Sequence, residues 1–361
     1  MYSFQKKGTI MKTIISKISG NNELDDKIYE QASKILKEGG LVAFPTETVY
    51  GLGADALDET ASAKVYAAKG RPSDNPLIVH IADMGALDVL ALEVTEDAKK
   101  LAEKFWPGPL TMIMKKKDIV PDTITGGLGT VAIRMPSHPV ARKLIQQSGV
   151  YIAAPSANTS GRPSPTKAEH VIHDLSGKID MILEDDTVDI GIESTIVDLS
   201  EEVPTILRPG YITKEMLQEV LGNVEIDKAI IEGASTNAVP KAPGMKYKHY
   251  APKADLTIVE GEQAAVTEAI NRLVKEKIDA GYKVGVMGTE ENMDGYQYGE
   301  KRCVGVRAHE ETVAKHLYAV LREFDEIGVD YIYSESFSRN NVGQAIMNRL
   351  IKAAGHSLIR V

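Results

Sequence analysis

The chain has 361 residues, 43% hydrophobic and 26% charged. This is ordinary globular composition at a length that suits two domains, and it excludes fibrous and disordered classes. A formal net charge of −9 and a single cysteine argue against a broad nucleic-acid-binding face, an intrachain disulfide and a cysteine metal cluster.

Residues 1–10 contain Lys6 and Lys7 but no apolar core or small-residue cleavage site, and no run of about 18 apolar residues offers a membrane span. The expected compartment is the cytoplasm. Residues 1–24 read as an extension followed by a first strand at 11–15. In 25–38, Ile28, Ala32, Ile35 and Leu36 recur at helical spacing until Gly39 and Gly40 stop the helix. Strand 41–44 follows, then an Ala-rich helix at 59–69 ended by Gly70, and strand 77–81. A helix at 95–105, strands 110–114 and 131–134, a helix at 139–147 and strand 150–154 come next, with strands 194–199 and 205–207 after them. This mixture of strands and helices predicts an α/β domain on a twisted mixed sheet over 25–212.

Near residue 233 the composition turns to Gly, Ala, Ser, Asn and Pro, so 213–253 reads as an interdomain linker. Beyond it, strands 256–259, 283–287, 303–306 and 331–334 alternate with helices 262–280, 310–327 and 343–354. That pattern predicts a smaller Rossmann-like parallel-sheet domain over 254–361. Cys303 lies in the apolar run Cys303-Val304-Gly305-Val306 and is expected as buried strand filler.

None of the common phosphate-loop, dinucleotide, zinc-protease or serine-hydrolase motifs occurs, so a bound nucleotide would be held in a less common way. His170 and His173 share a helix turn and are expected on a solvated face. Pro45-Thr46-Glu47-Thr48-Val49-Tyr50-Gly51-Leu52-Gly53 follows a buried strand and reads equally as a ligand-presenting loop or a tightly packed turn. Lys69-Gly70-Arg71-Pro72-Ser73-Asp74-Asn75 reads as a rigid loop with two cations and an amide, suited to an oxyanion. Arg134 ends an apolar strand and calls for a ligand or a paired acid. Strand 150–154 runs into Pro155-Ser156-Ala157-Asn158, and polar strand ends of this kind line ligand crevices in α/β sheets.

Segments 45–53, 69–80, 130–136, 155–158, 193–198, 207–210 and 248–252, in this order and spacing, resemble the YrdC-type L-threonylcarbamoyladenylate synthases in their two-domain form. The resemblance implies an N-terminal YrdC-like domain, a C-terminal Rossmann-like domain, and conversion of L-threonine, bicarbonate and ATP to threonylcarbamoyl-AMP, pyrophosphate and water. The product would serve modification of adenosine 37 in tRNAs that read ANN codons. By resemblance, Arg71, Asn75, Thr130, Ser156, Ser164, Arg208 and Tyr250 contact ATP, and Thr48, His80, Arg134 and the backbone of Ala154 contact L-threonine. Lys69 and Asn158 belong to the family's Lys-x-Arg and Ser-x-Asn signatures and, with Arg71 and Ser156, form the expected catalytic set. Lys69 and Arg71 are expected to neutralise phosphates, with Mg²⁺ as cofactor held mainly through the ATP phosphates and not by protein ligands.

The segment carrying Lys246, Lys248, His249 and Tyr250 is expected to close over the pocket as a lid. A downstream tRNA threonylcarbamoyl transferase is the expected recipient of the product, with weak direct tRNA contact and no membrane partner. The alternatives are a carbamoyl-adenylate-forming carbamoyltransferase of the hydrogenase-maturation type and an RNA-binding module.

Overall fold

The computed structural model describes residues 11–186, 188–228, 230, 242–243 and 249–361. Its first helix, Asn22–Lys37, starts three residues before the apolar periodicity does. The Asn21 side chain accepts from the Leu24 amide and caps it. Tyr29, Ala32 and Leu36 form its buried face, and Lys34 and Lys37 lie in its last turn, where cations oppose the helix dipole. The second helix, Glu59–Lys69, is capped by Asp58 and ends at Gly70, whose φ of 62° is left-handed. That turn releases Arg71 away from the helix axis.

Eleven strands among the described residues form the first sheet: β1 (Ile14–Lys17), β2 (Val42–Phe44), β3 (Gly51–Asp55), β4 (Ile78–His80), β5 (Leu110–Lys115), β6 (Thr130–Arg134), β7 (Ile152–Ala153), β8 (Met181–Glu184), β9 (Thr195–Asp198), β10 (Thr205–Arg208) and β11 (Glu225–Ile226). Their order is β1-β8-β2-β3-β7-β4-β6-β5-β9-β10-β11. Parallel pairs (β4 with β6, β5 with β9) and antiparallel pairs (β3 with β7, β5 with β6) are interleaved, which is the mixed sheet expected from the sequence. Strand β11 and the helix Lys214–Leu221 extend this unit beyond residue 212; β11 pairs with β10, and the helix packs on Glu96–Phe105.

Strand β3 was not foreseen, because Gly51 and Gly53 have low strand propensity. Its glycines are there for close packing: a Cβ on Gly53 would lie 2.7 Å from Ile152 and 2.8 Å from the Phe44 ring. The segment is therefore a strand flanked by a polar loop, which decides the open choice between loop and turn.

The second sheet contains β12 (Asp255–Glu260), β13 (Val284–Thr289), β14 (Glu300–Gly305), β15 (Tyr331–Glu335) and β16 (Leu358–Arg360), in the order β14-β13-β15-β12-β16. All of its pairings are parallel, as the alternation predicted. Strand β14 is at the edge, and Cys303 on it is exposed; the expectation of a buried thiol fails because an edge strand has one uncovered side. The expectation of a solvated histidine pair also fails. His170 is 7% exposed and accepts from the Thr166 amide at Nδ1, while His173 faces outward. No described helix is long and apolar enough to cross a membrane.

The two sheets share a core. Val49, Ile192 and Tyr250 pack into the same apolar cluster as Leu317, Tyr318 and Phe337 of the second domain. Gly191 makes this approach possible, since a Cβ there would lie 2.4 Å from the Lys315 Cα.

Candidate functional site

Parallel pairing of β4 with β6 sets His80 beside Arg134, each the last residue of its strand. Directly paired residues project to the same face, so an imidazole and a guanidinium emerge together. The loop after β2 supplies their third partner. Thr46 Oγ1 donates to the Val49 carbonyl (2.7 Å) and accepts from the Thr48 and Val49 amides, a hydroxyl-closed turn. This turn holds Thr48 where its hydroxyl accepts from Arg134 Nη1 at 2.9 Å.

Glu47 on the same loop places Oε1 2.8 Å from Arg134 Nη2, both groups being buried. That is ion-pair distance, so Nη2 is occupied by Glu47, and among the described residues Arg134 Nε has no hydrogen-bond partner. Burial pushes the Glu47 carboxyl up, and the Arg134 charge and hydrogen bond, with the backbone amides of Glu47 and Ser137, more than offset it, so the carboxylate stays ionised. An unsatisfied guanidinium donor at this depth is costly unless a ligand takes it. Burial and then the Arg134 charge lower His80 to about 3. Its Nδ1 lies 3.1 Å from the Ile78 carbonyl, an acceptor only, so Nδ1 carries the proton and Nε2 is left to accept.

A second group of cations gathers beyond the Ser156 loop. Arg71 Nη2 donates to the Pro76 carbonyl (3.0 Å) and Nε to that of Asn75 (3.3 Å). Burial lowers Arg71 to about 10, which leaves it cationic. Arg208, at the end of β10, is fixed by Nε on the Ser194 carbonyl (3.0 Å) and Nη2 on the Ser194 hydroxyl (3.1 Å).

Lys69 points elsewhere. Its ammonium donates to the carbonyls of Ser156 and Asn158, the latter at 2.5 Å, and burial followed by the Arg71 charge pulls it well below its ordinary pKa. Around it, Ser156 donates to Asn158 Oδ1 (2.6 Å), and Asn158 Nδ2 donates to the carbonyls of Thr159 and Arg162. The 155–162 loop is thus knitted onto Lys69.

These groups converge on one cleft. Thr48, Arg71, His80, Arg134, Ala154, Ser156, Arg208 and Tyr250 line it, eight residues singled out from the sequence. Lys69, Asn75, Asn158 and Ser164 are buried, and Thr130 opens β6 four residues before Arg134; none of these five borders the cleft. Asn75 keeps a buried Oδ1 without a described partner. Lys246 and Lys248 lie outside the described residues, while Pro243, His249 and Tyr250 border the cleft.

One acid was missed as a site residue, Glu193. Glu193 borders the cleft at 6% exposure, and burial, which raises its pKa, is outweighed by Arg349 and Arg208. Its signal in the sequence is an acid set between Ile192 and the apolar strand β9, which requires a buried partner.

The chain matches the Sua5_yciO_yrdC family model, described as telomere recombination, over residues 34–210, and the threonylcarbamoyl-AMP synthase C-terminal domain over 212–355. It is 52% identical to the threonylcarbamoyl-AMP synthase of Bacillus subtilis, across 93% of this chain and 95% of that one. Against the threonylcarbamoyl-AMP synthase of Pyrococcus abyssi it is 49% identical, across 91% and 95%. Pyrococcus abyssi Sua5 solved in complex with L-threonine superposes with a TM-score of 0.89 and 46% identity, covering 98% of this chain and 100% of that one. The chain belongs to the Sua5/YciO/YrdC family, in the two-domain form whose second part is the threonylcarbamoyl-AMP synthase C-terminal domain.

Proposed function

We propose that the chain is an L-threonylcarbamoyladenylate synthase, which condenses L-threonine, bicarbonate or CO₂, and ATP to threonylcarbamoyl-AMP and pyrophosphate, with water released when bicarbonate is the carbon source. The activated group then passes to a separate transferase that modifies adenosine 37 of ANN-reading tRNAs. The observation that carries this reading is the cleft. It brings a neutral imidazole, a hydroxyl and a guanidinium with an unpartnered Nε together with Arg71 and Arg208. The family membership and the relative solved with L-threonine support the same assignment.

Arg134 holds the threonine carboxylate by its charge and donors. Thr48, the acceptor Nε2 of His80 and the Ala154 backbone hold the threonine hydroxyl and amine. The amine adds to CO₂, forming an N–C bond and releasing a proton, and a carbamate oxygen then attacks the α-phosphorus as pyrophosphate leaves. No protein nucleophile is needed. The chain's work is to hold the carbamate in line and to stabilise the charge that develops on the phosphates, a task for Arg71 and Arg208. Asn75, Thr130, Ser156, Ser164 and Tyr250 complete the ATP side, and Lys69 and Asn158 act by holding the Ser156 loop.

Mg²⁺ enters this proposal on the triphosphate. Glu47 faces Arg134, Glu193 is bonded to Ser164, Tyr318 and Arg349, and no group of three ligand-type side chains occurs among the described residues. No protein atom is therefore assigned to the metal, and no step is assigned to it.

The test is pyrophosphate release from ATP with bicarbonate and Mg²⁺, comparing L-threonine, L-serine, L-valine and no amino acid. Threonine-dependent release with threonylcarbamoyl-AMP as product is expected. Release that ignores the amino acid would sink the reading.

A further inference from the structure

Glu193 is where the second domain reaches the cleft. Arg349, fully buried on the helix Asn341–Ala353, donates from Nε to Glu193 Oε2 at 3.1 Å and from Nη2 to the Glu193 carbonyl at 3.3 Å. Its Nη1 donates to the carbonyl of Pro209, the residue after Arg208. One side chain thus grips both segments that carry Glu193 and Arg208. Tyr318, on the helix Glu310–Ile327, donates its hydroxyl to the same carboxylate, 2.9 Å from Oε2 and 3.1 Å from Oε1.

Two nucleotide-side residues depend on this cluster. Ser164 donates to Glu193 Oε1 at 2.5 Å. Its single proton is committed there, so its oxygen is left as an acceptor. Tyr250 has a φ of 65°, a left-handed conformation that costs a non-glycine residue roughly 1–2 kcal/mol. Its ring stacks on that of Tyr318 with centroids 5.3 Å apart and planes at 29°, so the neighbouring domain holds an otherwise unfavoured turn.

Domain adhesion alone would not need this arrangement. Arg322 with Asp174 (2.9 Å) and Arg162 with Asp325 (2.7 Å) already tie the domains together without bordering the cleft. A fully buried ion pair also adds little net stability over an apolar contact.

We propose that Tyr318 and Arg349 are positioning residues for the nucleotide side of the site, acting through Glu193 on Ser164, through the Pro209 carbonyl on Arg208 and through ring stacking on Tyr250. The inference rests on the synthase reading and extends it by giving the second domain a part in ATP binding.

Full-length Tyr318→Phe, Tyr318→Leu, Arg349→Gln and Arg349→Lys are compared with wild type and with Asp325→Asn, which removes the charge paired with Arg162 while its amide oxygen can still accept from the Lys253 amide. The readouts are KM for ATP, KM for threonine, kcat and thermal midpoint. Losing a hydrogen bond to a charged group is expected to raise the ATP KM on the order of tenfold in Tyr318→Phe, with the threonine KM unchanged. Tyr318→Leu should go further, because the stack is lost as well. Arg349→Lys, which keeps the pairing charge, should recover part of the loss seen in Arg349→Gln. Asp325→Asn should lower the thermal midpoint while leaving the ATP KM alone.

An unchanged ATP KM in Tyr318→Phe overturns the proposal. So does a parallel rise of both KM values, or an Asp325→Asn variant that behaves like Tyr318→Phe. A wild type without threonine-dependent turnover sinks the synthase reading instead, and calorimetric titration of the same variants with a nonhydrolysable ATP analogue then decides the positioning role by itself.

Discussion

Lys69 and Arg71 are two positions apart, yet their charges serve different purposes. The left-handed turn at Gly70 sends Arg71 to the cleft wall and leaves Lys69 under the 155–162 loop. A phosphate-neutralising lysine could be removed at little cost to the fold. A lysine that satisfies two buried carbonyls could not, because each orphaned acceptor costs about 1–3 kcal/mol. Lys69→Met is therefore expected to lower the thermal midpoint by several degrees and to raise the ATP KM in the same variant. Calorimetry beside steady-state kinetics checks this, and lost ATP affinity at unaltered stability would return Lys69 to the phosphates. The Lys-x-Arg spacing could be read from the sequence, but the direction of the ammonium could not. Direction depends on the carbonyls of residues 156 and 158, almost ninety positions away.

At the scale of elements, helices were the more legible. Their apolar spacing and their Asp, Thr and Gly terminators act within a few residues, and the boundaries at Glu59–Lys69 and Glu310–Ile327 agree with those expected. Strand β3 was hidden because its glycines answer to neighbours across the sheet and not to local propensity. Gly191 is a similar case at the domain boundary. At φ 84°, with Lys315 Cα 2.4 Å from its would-be Cβ, Gly191→Ala must strain the backbone and displace the helix Glu310–Ile327. A loss of about 2–4 kcal/mol is expected from the left-handed alanine and the overpacking together, read from the urea midpoint. A stability equal to wild type would mean that the two domains separate there without cost.

For the whole molecule, burial lowers His80, His170 and His249 each to about 3, against about 6.5 when unfolded. Between those values the unfolded chain's histidines bind more protons, so their contribution rises with pH and is complete above about 6.5, where Lys69 and Lys352, held below their ordinary range by burial, add a further rise. The thermal midpoint should fall as pH drops from 8, with the histidines steepening the fall below about 6.5. His170→Asn, whose amide oxygen can accept from Thr166 in place of Nδ1, should flatten that slope. A midpoint constant down to pH 5 would mean that these histidines protonate without penalty. The sequence by itself determined the two sheet classes, most helix ends and the loops that furnish the cleft, since hydrophobic period and Gly or Pro punctuation act locally. Only the tertiary structure decided that Lys69 holds a loop, that Arg134 meets Thr48 across 86 positions, and that Arg349 reaches Glu193 across 156. Burial and pairing are properties of distant segments brought together, and no local pattern encodes which acid a buried cation will find.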